Sequence, residues 1–351
     1  MLPQSIDDWK LKDFLPESEL VLPEHQVDRP RFPAIDAHNH LGGIVRQGAE
    51  AVSRLLDLMD SLGLRAMVNL DAGYGSAVSL EECLRLLKEP YPERFILFHT
   101  LNWKRVEEGE GFGERMAADL REAVARGAQG VKIHKSLGLR IRDPQGRLLM
   151  PDDERLAPIF AAAGELGIPV LYHVADPRAF FRPLDGRNER LEQLARHPDW
   201  HFYGGDFPQF EVLMEAQARL VRRHPNTTFI SAHLCSYVEN LRWVSDLLDA
   251  CPNLNVDLSA RYEELGRQPY TARRFFLRHA DRILFGADFE PEAWHYRVLF
   301  RFLETDDEYF PYAIGPRPQK GRWRIYGIFL PDDVLRKVYA ENAARLIPGV
   351  R

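Results

Sequence analysis

The feature that most constrains the fold of this chain is an alternation, repeated eight times, of a short apolar run and an amphipathic stretch. Short apolar runs predict buried strands, and amphipathic stretches at helical spacing predict helices that cover them. The predicted strands are Ala34–Ala37, Ala66–Leu70, Phe95–His99, Gly130–His134, Pro169–His173, Thr228–His233, Leu254–Leu258 and Arg282–Phe285. Eight strands, each followed by a helix, make up a (β/α)8 barrel, so the sequence predicts an α/β protein with the TIM-barrel fold.

Helices are predicted in the stretches between these strands, and several end as helices usually do. Gly63, Gly127 and Gly167 stand just past apolar-periodic segments, where a left-handed residue is favoured. The predicted helices span residues 50–62, 80–87, 112–126, 152–166, 189–196, 210–223, 237–250 and 271–278. A doubly wound open sheet is the alternative, but no glycine-rich phosphate-binding loop follows the first strand, where that fold would carry one.

Prolines and long connections indicate how the chain is divided. Residues 1–33 carry five prolines and many charges, which predicts an N-terminal arm on the outside of the body. Residues 34–351 then form a single (β/α)8 domain, closed by a final helix at Pro331–Leu346. The long connections Asp176–Pro208, after strand five, and Pro291–Leu330, after strand eight, predict insertions that serve as lids, binding loops or partner surfaces.

Composition narrows the class of partner. The chain of 351 residues has a formal net charge of −6, which argues against a nucleic-acid or anionic-membrane partner and favours a small-molecule substrate. No apolar run is long enough to span a bilayer, and the three cysteines do not form a disulfide framework. We therefore expect a reduced, cytoplasmic protein. The arm and the segment Trp323–Phe329 have the composition of partner surfaces, which leaves a homo-oligomer open.

Polar residues stand where the predicted strands end. His38 and His40 end strand one on a shared face, where two imidazoles can bind one divalent metal, with Asp36 behind them as an expected orienting partner. The other strand ends carry Lys132, His134, His173, His233 and Asp288. The C-terminal ends of barrel strands meet at one face, and histidines and a carboxylate buried there are costly unless they bind a cation. The sequence thus predicts a metal site at this face.

This set of residues resembles the amidohydrolase superfamily, and in particular its amidohydrolase-related branch of hydrolases, lactonases and non-oxidative decarboxylases. The resemblance extends from about Ile35 to Leu346. It is carried by the stretches Asp36–His40, Gly130–His134, His173, Ser231–His233, Leu284–Asp288 and Tyr339–Leu346. The long arm and the insertion after strand eight depart from a minimal member of the branch.

The resemblance implies a metal site and two catalytic residues. His38, His40, His173 and Asp288 would be the metal-site residues, with Zn²⁺ favoured by imidazole and carboxylate ligands and Mn²⁺ compatible with them. His233 would be a catalytic histidine that polarises the substrate. Asp288 would also accept a proton from the activated water and deliver it to the leaving group.

Lys132 decides between one and two metal ions. In two-metal members of the superfamily a carbamylated lysine on strand four bridges the ions, and His233 then joins the second metal. In the one-metal branch that lysine is not carbamylated, and a protonated lysine beside the cation would be repelled by it. The resemblance is to the one-metal branch, so one ion is favoured, with Lys132 and His134 as pocket residues.

Three functions remain open. The favoured one is metal-dependent hydrolysis of an amide, or of a lactone or other ester, in a small organic substrate. The alternative is a non-oxidative decarboxylase or hydratase of an aromatic or enol carboxylic acid that uses the same metal site. A barrel that keeps these residues but acts only as a binding protein is the third.

Several further residues are predicted to line the pocket. Arg261, after strand seven, would pair with a substrate carboxylate or remain a solvated loop residue. His99, at the end of strand three, would contact the substrate or serve in capping or packing. The aromatic segment Phe180–Pro183 and the pair Trp294 and His295 would form a cover over the mouth.

Overall fold

The structure is a computed structural model that describes residues 5–76, 78–315 and 320–350. It contains one sheet of eight parallel strands whose order along the sheet follows their order in the chain. The strands are β1 (Ala34–Asn39), β2 (Leu64–Gly73), β3 (Phe95–Thr100), β4 (Gly130–Ile133), β5 (Val170–Tyr172), β6 (Phe229–Ser231), β7 (Leu254–Asp257) and β8 (Ile283–Leu284). Each lies within a few residues of its predicted run, because strands buried on both faces read as nearly continuous apolar runs.

Backbone hydrogen bonds bring the last strand back to the first. The amide of Ala37 donates to the carbonyl oxygen of Phe285 at 2.9 Å, and the amide of Asp288 donates to that of His38 at 2.8 Å. The sheet therefore curls into a nearly closed barrel, and the predicted TIM-barrel fold is confirmed.

Helices surround the barrel in the described part of the chain. They are α1 (Gly42–Gln47), α2 (Ala49–Leu62), α3 (Leu80–Cys83), α4 (Phe112–Ala125), α5 (Ala157–Glu165), α6 (Leu191–Arg196), α7 (Phe210–Arg223), α8 (Leu241–Ala250), α9 (Tyr262–Leu265), α10 (Pro269–Arg278), α11 (Ala293–Glu304), α12 (Asp332–Arg336) and α13 (Asn342–Leu346). A π-helical segment, Leu84–Lys88, continues α3, and another, Lys337–Glu341, joins α12 to α13. Short 3₁₀ helices lie at Ile6–Asp8, Leu11–Asp13, Trp103–Glu108, Glu154–Leu156, Arg178–Phe181, Pro198–Trp200, Leu234–Ser236, Val238–Asn240 and Ala280–Arg282.

Local sequence explains several helix ends. Gly63 ends α2 with φ of 71°, a left-handed conformation that costs glycine little, and β2 starts at the next residue. At the start of α3, the Ser79 hydroxyl accepts from the amide of Glu82, and the Glu82 carboxylate accepts from the amide of Ser79. This reciprocal cap is the capping box that serine and glutamate form three residues apart.

The interior of the barrel is filled by apolar side chains that alternate along the strands. Ile96 and Phe98 of β3 point inward, together with Val68 of β2. Ala343 and Ile347, at the end of the final helix, belong to the same buried cluster and are almost fully buried. The final helix is also anchored to β8, since the side-chain amide of Asn342 donates to the carbonyl oxygen of Ile283 at 2.8 Å. It therefore fills the end of the barrel opposite the predicted site.

The arm, described from Ser5 to Pro33, runs over the outside of the barrel. Its contacts include a hydrogen bond from the amide of His25 to Asp307 at 2.9 Å and an ion pair between Arg31 and Asp332 at 2.7 Å. Nearer its start, Arg322 donates to the carbonyl oxygen of Leu11 at 2.7 Å. The arm is thus held by the connections that follow β8.

The connection after β8 is more regular than the sequence indicated. Its first part forms α11, an amphipathic helix that was not predicted inside Pro291–Leu330. In the segment expected to be a partner surface, Ile325 and Ile328 are buried, whereas Phe329 is exposed. Among the described residues, no helix combines the length and the apolar character that crossing a membrane requires.

Candidate metal centre

Three predicted residues meet where β1 and β8 end. His38 lies in β1, His40 follows that strand, and Asp288 follows β8. The Nε2 atoms of His38 and His40 each lie 3.6 Å from Oδ1 of Asp288. In the described residues, the ligand atoms of these three side chains all lie within 4.8 Å of one another. The group has the chemistry of a divalent-metal site.

The backbone holds Asp288 in an uncommon conformation. Its φ is +58°, in the left-handed region that residues other than glycine rarely adopt. The amide of Asp288 donates to the carbonyl oxygen of His38, and the preceding amide, of Ala287, donates to the Asp36 carboxylate at 3.0 Å. These bonds fix the Asp288 carboxylate over the end of β1, and strain kept in this way is typical of functional sites.

Asp36 has a different role from the predicted one. Its carboxylate accepts from the amides of His38 and Ala287, each at 3.0 Å, and from the hydroxyl of Tyr296 at 2.7 Å. It does not orient an imidazole ring. Asp36 instead ties the end of β1 to the loop after β8.

Two other carboxylates orient the imidazoles. Oδ2 of Asp257 lies 2.8 Å from Nδ1 of His38, and Oδ1 of Asp71 lies 2.6 Å from Nδ1 of His40. An Nδ1–H that donates to a carboxylate leaves the Nε2 lone pair free, which is the form in which histidine binds a metal. This orienting role was predicted for neither aspartate.

Asp257 connects several parts of the site. Besides His38, its carboxylate accepts from the amide of His233 at 3.0 Å and from the amide of Ser259 at 3.1 Å. Burial alone would raise the pKa of Asp257, but the contact with His38 and these hydrogen bonds outweigh it and hold the pKa below its ordinary value. Asp257 is therefore an anion buried behind the imidazoles.

His233 faces the other oxygen of Asp288. Its Nε2 atom lies 3.5 Å from Oδ2 of Asp288, and its Nδ1 atom lies 2.8 Å from the carbonyl oxygen of Ser259. A carbonyl only accepts hydrogen bonds, so the proton of this ring is on Nδ1. Burial, reinforced by His173, holds the pKa of His233 well below its ordinary value, so the ring is neutral with a bare Nε2.

His173 lies beside His233 and not within the group of three. The two rings are 4.3 Å apart between centroids in an edge-to-face arrangement. The Nε2 atom of His173 is buried and has no hydrogen-bond partner among the described residues, and a carboxylate oxygen, Oδ1 of Asp176, lies 3.7 Å away. A buried imidazole nitrogen without a partner is costly unless it binds a ligand. This orphaned atom fits a resident metal ion.

Lys132 reaches the same place from β4. Its Nζ atom lies 3.3 Å from Nε2 of His38, and the side chain is buried. Burial lowers the pKa of Lys132 to about 8, although Asp288 and Asp257 raise it. The lysine lies within reach of the candidate metal, as either pocket residue or bridging ligand. His134, two residues further, lines the pocket with its ring 6.0 Å from that of His173.

A cavity of about 570 Å³ opens beside these residues. His40, His173, His233 and Asp288 line it, and so does Arg261. The guanidinium of Arg261 donates to the carbonyl oxygen of Ala260 at 2.7 Å, but its buried Nε has no partner in the described part of the chain. Among the residues that the structure describes, Arg261 forms no ion pair.

Three other cations that line the cavity have acidic partners, and a fourth, Arg196, is exposed to solvent. Lys135 pairs with Asp176 at 2.5 Å, Arg190 pairs with Glu264, and Lys320 pairs with Glu263. Their acidic partners cancel most of their charge. Arg261 is therefore the wall residue best placed to bind an anionic group.

The structure does not bring His99 to this cavity. Ile96 and Phe98 of β3 point into the barrel, so His99 points outward, toward the helices. It lines a separate cavity of about 240 Å³ beside α4, and its Nδ1 lies 3.0 Å from the carbonyl oxygen of Ala72. The expected substrate contact of His99 is not supported by this position.

Aromatic residues form one side of the mouth. Phe180, in the 3₁₀ helix after β5, lines the cavity together with Trp200 and Phe289. Of the predicted cover residues, Trp294 and His295 are not among the lining side chains. The ring of His295 stacks on that of Phe289, with centroids 4.1 Å apart, so these residues support the wall from behind.

Comparison with known proteins identifies the family and the fold of the chain. A sequence profile of the amidohydrolase family matches residues 109–349, about two thirds of the chain. No curated protein matches the chain. Solved structures match over nearly the whole barrel, at identities that show the fold alone.

Three of these structures illustrate the likeness. A TIM-barrel protein from Bordetella bronchiseptica is 17% identical with a TM-score of 0.55, over 89% of this chain and 97% of that one. The 2,6-dihydroxybenzoate decarboxylase from Rhizobium is 16% identical with a TM-score of 0.55, over 90% and 98%. A dihydroxybenzoic acid decarboxylase from Polaromonas sp. JS666, with bound manganese and 2-nitroresorcinol, is 16% identical with a TM-score of 0.54, over 90% and 96%. These structures show the shared fold, and the profile match over residues 109–349 shows that the chain belongs to the amidohydrolase family of enzymes.

Proposed function

We propose that this enzyme is a metal-dependent hydrolase that cleaves an amide or lactone-like ester bond in a small organic substrate. The observation that carries the proposal is the position of Asp288. One of its carboxylate oxygens lies 3.6 Å from Nε2 of both His38 and His40, and the other lies 3.5 Å from Nε2 of His233. Such a carboxylate can bind a cation on one side and handle a proton on the other.

The residues that would hold the metal are His38, His40, His173 and Asp288. Zn²⁺ suits this set, and the manganese bound in the Polaromonas enzyme supports Mn²⁺ as the alternative. When bound, the cation would lower the pKa of a water molecule and polarise the substrate carbonyl. One ion is favoured, because Lys132 occupies the side of His38 where a second ion would need an anionic bridge.

Asp288 acts as the general base and then as the general acid. It takes a proton from the attacking water as the new carbon–oxygen bond forms, and it returns the proton to the leaving group as the scissile bond breaks. The bare Nε2 of His233 accepts a hydrogen bond from protonated Asp288 and holds that proton in place. This role differs from the expected polarisation of the carbonyl, because a neutral ring protonated on Nδ1 has no proton on Nε2 to donate.

A second function, decarboxylation or hydration of an aromatic or enol acid, is favoured by Arg261. A buried guanidinium without an ion pair among the described residues is suited to a substrate carboxylate. The fold neighbours from Rhizobium and Polaromonas are decarboxylases of dihydroxybenzoic acids. In that reaction Asp288 would supply its proton to carbon.

One preparation can decide between the two functions. Metal content is measured first, and the same protein is then assayed on a panel of amides, lactones and hydroxybenzoic acids. Hydrolysis that disappears on chelation and returns with added Zn²⁺ or Mn²⁺ supports the first proposal. Release of CO2 without hydrolysis would replace it with the second.

A further inference from the structure

The mouth of the barrel has two lobes of opposite character. The first lobe is the cavity of about 570 Å³ that contains Arg261. The second, of about 820 Å³, lies on the other side of Asp288 and is lined by Gly42, Arg46, Ser76, Glu290 and Glu292, among others. His40, His134, Asp288 and Phe289 line both lobes. The catalytic carboxylate thus stands at the junction between two spaces.

The charges of the two lobes differ in sign. In the first lobe, the acidic partners of Lys135, Arg190 and Lys320 leave Arg261 as the buried cation without an ion pair in the described structure. The second lobe is lined by the carboxylates Glu290 and Glu292 and by the cation Arg46, and all three residues are exposed. Asp71 lies there too, but its charge is engaged with His40. The charged side chains that line the mouth thus change from mainly cationic in the first lobe to mainly anionic in the second.

A hydrolase needs room for both pieces of its substrate, whereas a decarboxylase releases one very small product. Two lobes that share Asp288 accommodate a substrate that extends to both sides of the scissile bond. An anionic end is favoured in the first lobe by the Arg261 guanidinium and disfavoured in the second by Glu290 and Glu292.

From these observations we propose that the substrate is a charge-asymmetric amide or ester, with a carboxylate on one side of the scissile bond and a neutral or cationic group on the other. The proposal rests on the proposed hydrolase function. The carboxylate-bearing half occupies the lobe of Arg261, and the other half occupies the lobe of Glu290 and Glu292. Water adds across the scissile bond, and each half leaves through its own lobe.

The test uses four matched anilides and the metal-loaded enzyme. N-butyryl aniline has no carboxylate, N-succinyl aniline carries one on the acyl half, N-butyryl-4-aminobenzoate carries one on the amine half, and N-succinyl-4-aminobenzoate carries one on each. We expect one of the two singly charged compounds to exceed the uncharged compound in kcat/KM by about tenfold or more, as a charge-assisted hydrogen bond would give. The kcat/KM of the doubly charged compound should be lower than that of the preferred singly charged compound.

Variants assign the effect to each lobe. Arg261→Gln should reduce the ratio of kcat/KM between the singly charged and the uncharged compound to about one. Arg242→Gln, the same change at a side chain that is 91% exposed on α8, should leave that ratio unchanged. The double variant Glu290→Gln with Glu292→Gln should raise the kcat/KM of the doubly charged compound relative to that of the preferred singly charged compound. Equal kcat/KM for all four anilides, or a preference that survives Arg261→Gln, would overturn the proposal and leave the hydrolase function standing.

A binding measurement separates this proposal from the hydrolase function. The matching ketones, in which CH2 replaces the amide NH, cannot be hydrolysed, and their affinities are measured by calorimetry. If no anilide is cleaved but the ketones show the charge preference, the hydrolase function fails and the two-lobe assignment stands. If the charged and uncharged ketones bind with equal affinity, the two-lobe assignment fails whether or not the enzyme cleaves the anilides.

Discussion

Asp257 lies 2.8 Å from Nδ1 of His38, and this contact joins the end of β7 to the end of β1 across the mouth of the barrel. It leaves Nε2 of His38 facing Asp288. The same carboxylate accepts from the backbone amide of His233, so one buried anion orients the ring of His38 and anchors the backbone of His233 beside Asp288. The geometry of the site depends on this residue although Asp257 does not itself point at the substrate cavity.

Asp257→Asn is expected to weaken metal binding by about 10–100-fold while the protein remains folded. Asparagine keeps the size of the side chain, but its carboxamide is neutral and can present its NH2 group to His38, which removes the anion that orients the ring. Metal affinity is measured by competition with a chromogenic chelator, and folding is checked by thermal unfolding. Asp246→Asn, on the exposed face of α8, serves as the control. Unchanged affinity in Asp257→Asn would show that His38 does not bind the metal through Nε2.

Asp288→Asn is expected to lower kcat by about 100-fold or more, the usual loss when a general base is removed. The variant should still fold, because the backbone amide of Asp288, and not its side chain, makes the bond to His38. Removing the metal with a chelator should abolish turnover in the wild type, and adding the ion back should restore it. Near-normal activity in folded, metal-loaded Asp288→Asn would contradict the assignment of the base.

Lys132→Met distinguishes a free lysine from a carbamylated one. A protonated amine 3.3 Å from Nε2 of His38 opposes a cation bound there, so its removal should strengthen metal binding several-fold. A carbamylated lysine is an anionic bridge, and its removal would instead lower the metal content. The metal stoichiometry of the wild type gives the number of ions, and its intact mass shows whether Lys132 is carbamylated. We expect one ion per chain and no added mass of carbon dioxide.

The sequence predicted the fold well because each strand is an apolar run with buried faces on both sides. That same property explains why the sequence did not reveal the direction of the His99 side chain. In β3 both the inward residues, Ile96 and Phe98, and the outward residues, Phe95 and Leu97, are apolar and buried, so the pattern does not reveal which face His99 joins. The orienting carboxylates were missed for a related reason. The contact between Asp257 and His38 joins residues 219 positions apart, and no local signal marks it.

Ile347→Ala is expected to lower the free energy of unfolding by about 2–4 kcal/mol, the usual cost of shortening a buried isoleucine. Ile347 is 1% exposed and fills the end of the barrel with Ala343, so alanine would leave a cavity there. Urea denaturation measures the change. Leu277→Ala, at an exposed position on α10, should lower the free energy of unfolding by much less. A cost for Ile347→Ala no larger than that of the control would mean that the final helix does not support the barrel core.

Asp143 anchors the long connection between β4 and α5. Its buried carboxylate accepts from the amides of Gln145 and Arg147, each at 3.0 Å, and from the guanidinium of Arg155 at 3.1 Å. Burial alone would raise the pKa of Asp143, but the hydrogen bonds and charges of Arg147 and Arg155 lower it from 3.8 to about 2. The unfolded chain therefore takes up a proton at a higher pH than the folded protein does.

The stabilisation from Asp143 is thus fully present above about pH 4 and is lost as the pH falls toward 2. Asp143→Asn should lower the urea midpoint near neutral pH, and its difference from the wild type should narrow as the pH falls below about 4. Asp206→Asn, at an exposed carboxylate in the insertion after β5, should differ little from the wild type at either pH. A difference between Asp143→Asn and the wild type that stays constant from neutral pH into the acid range would mean that the charge of Asp143 does not stabilise this connection.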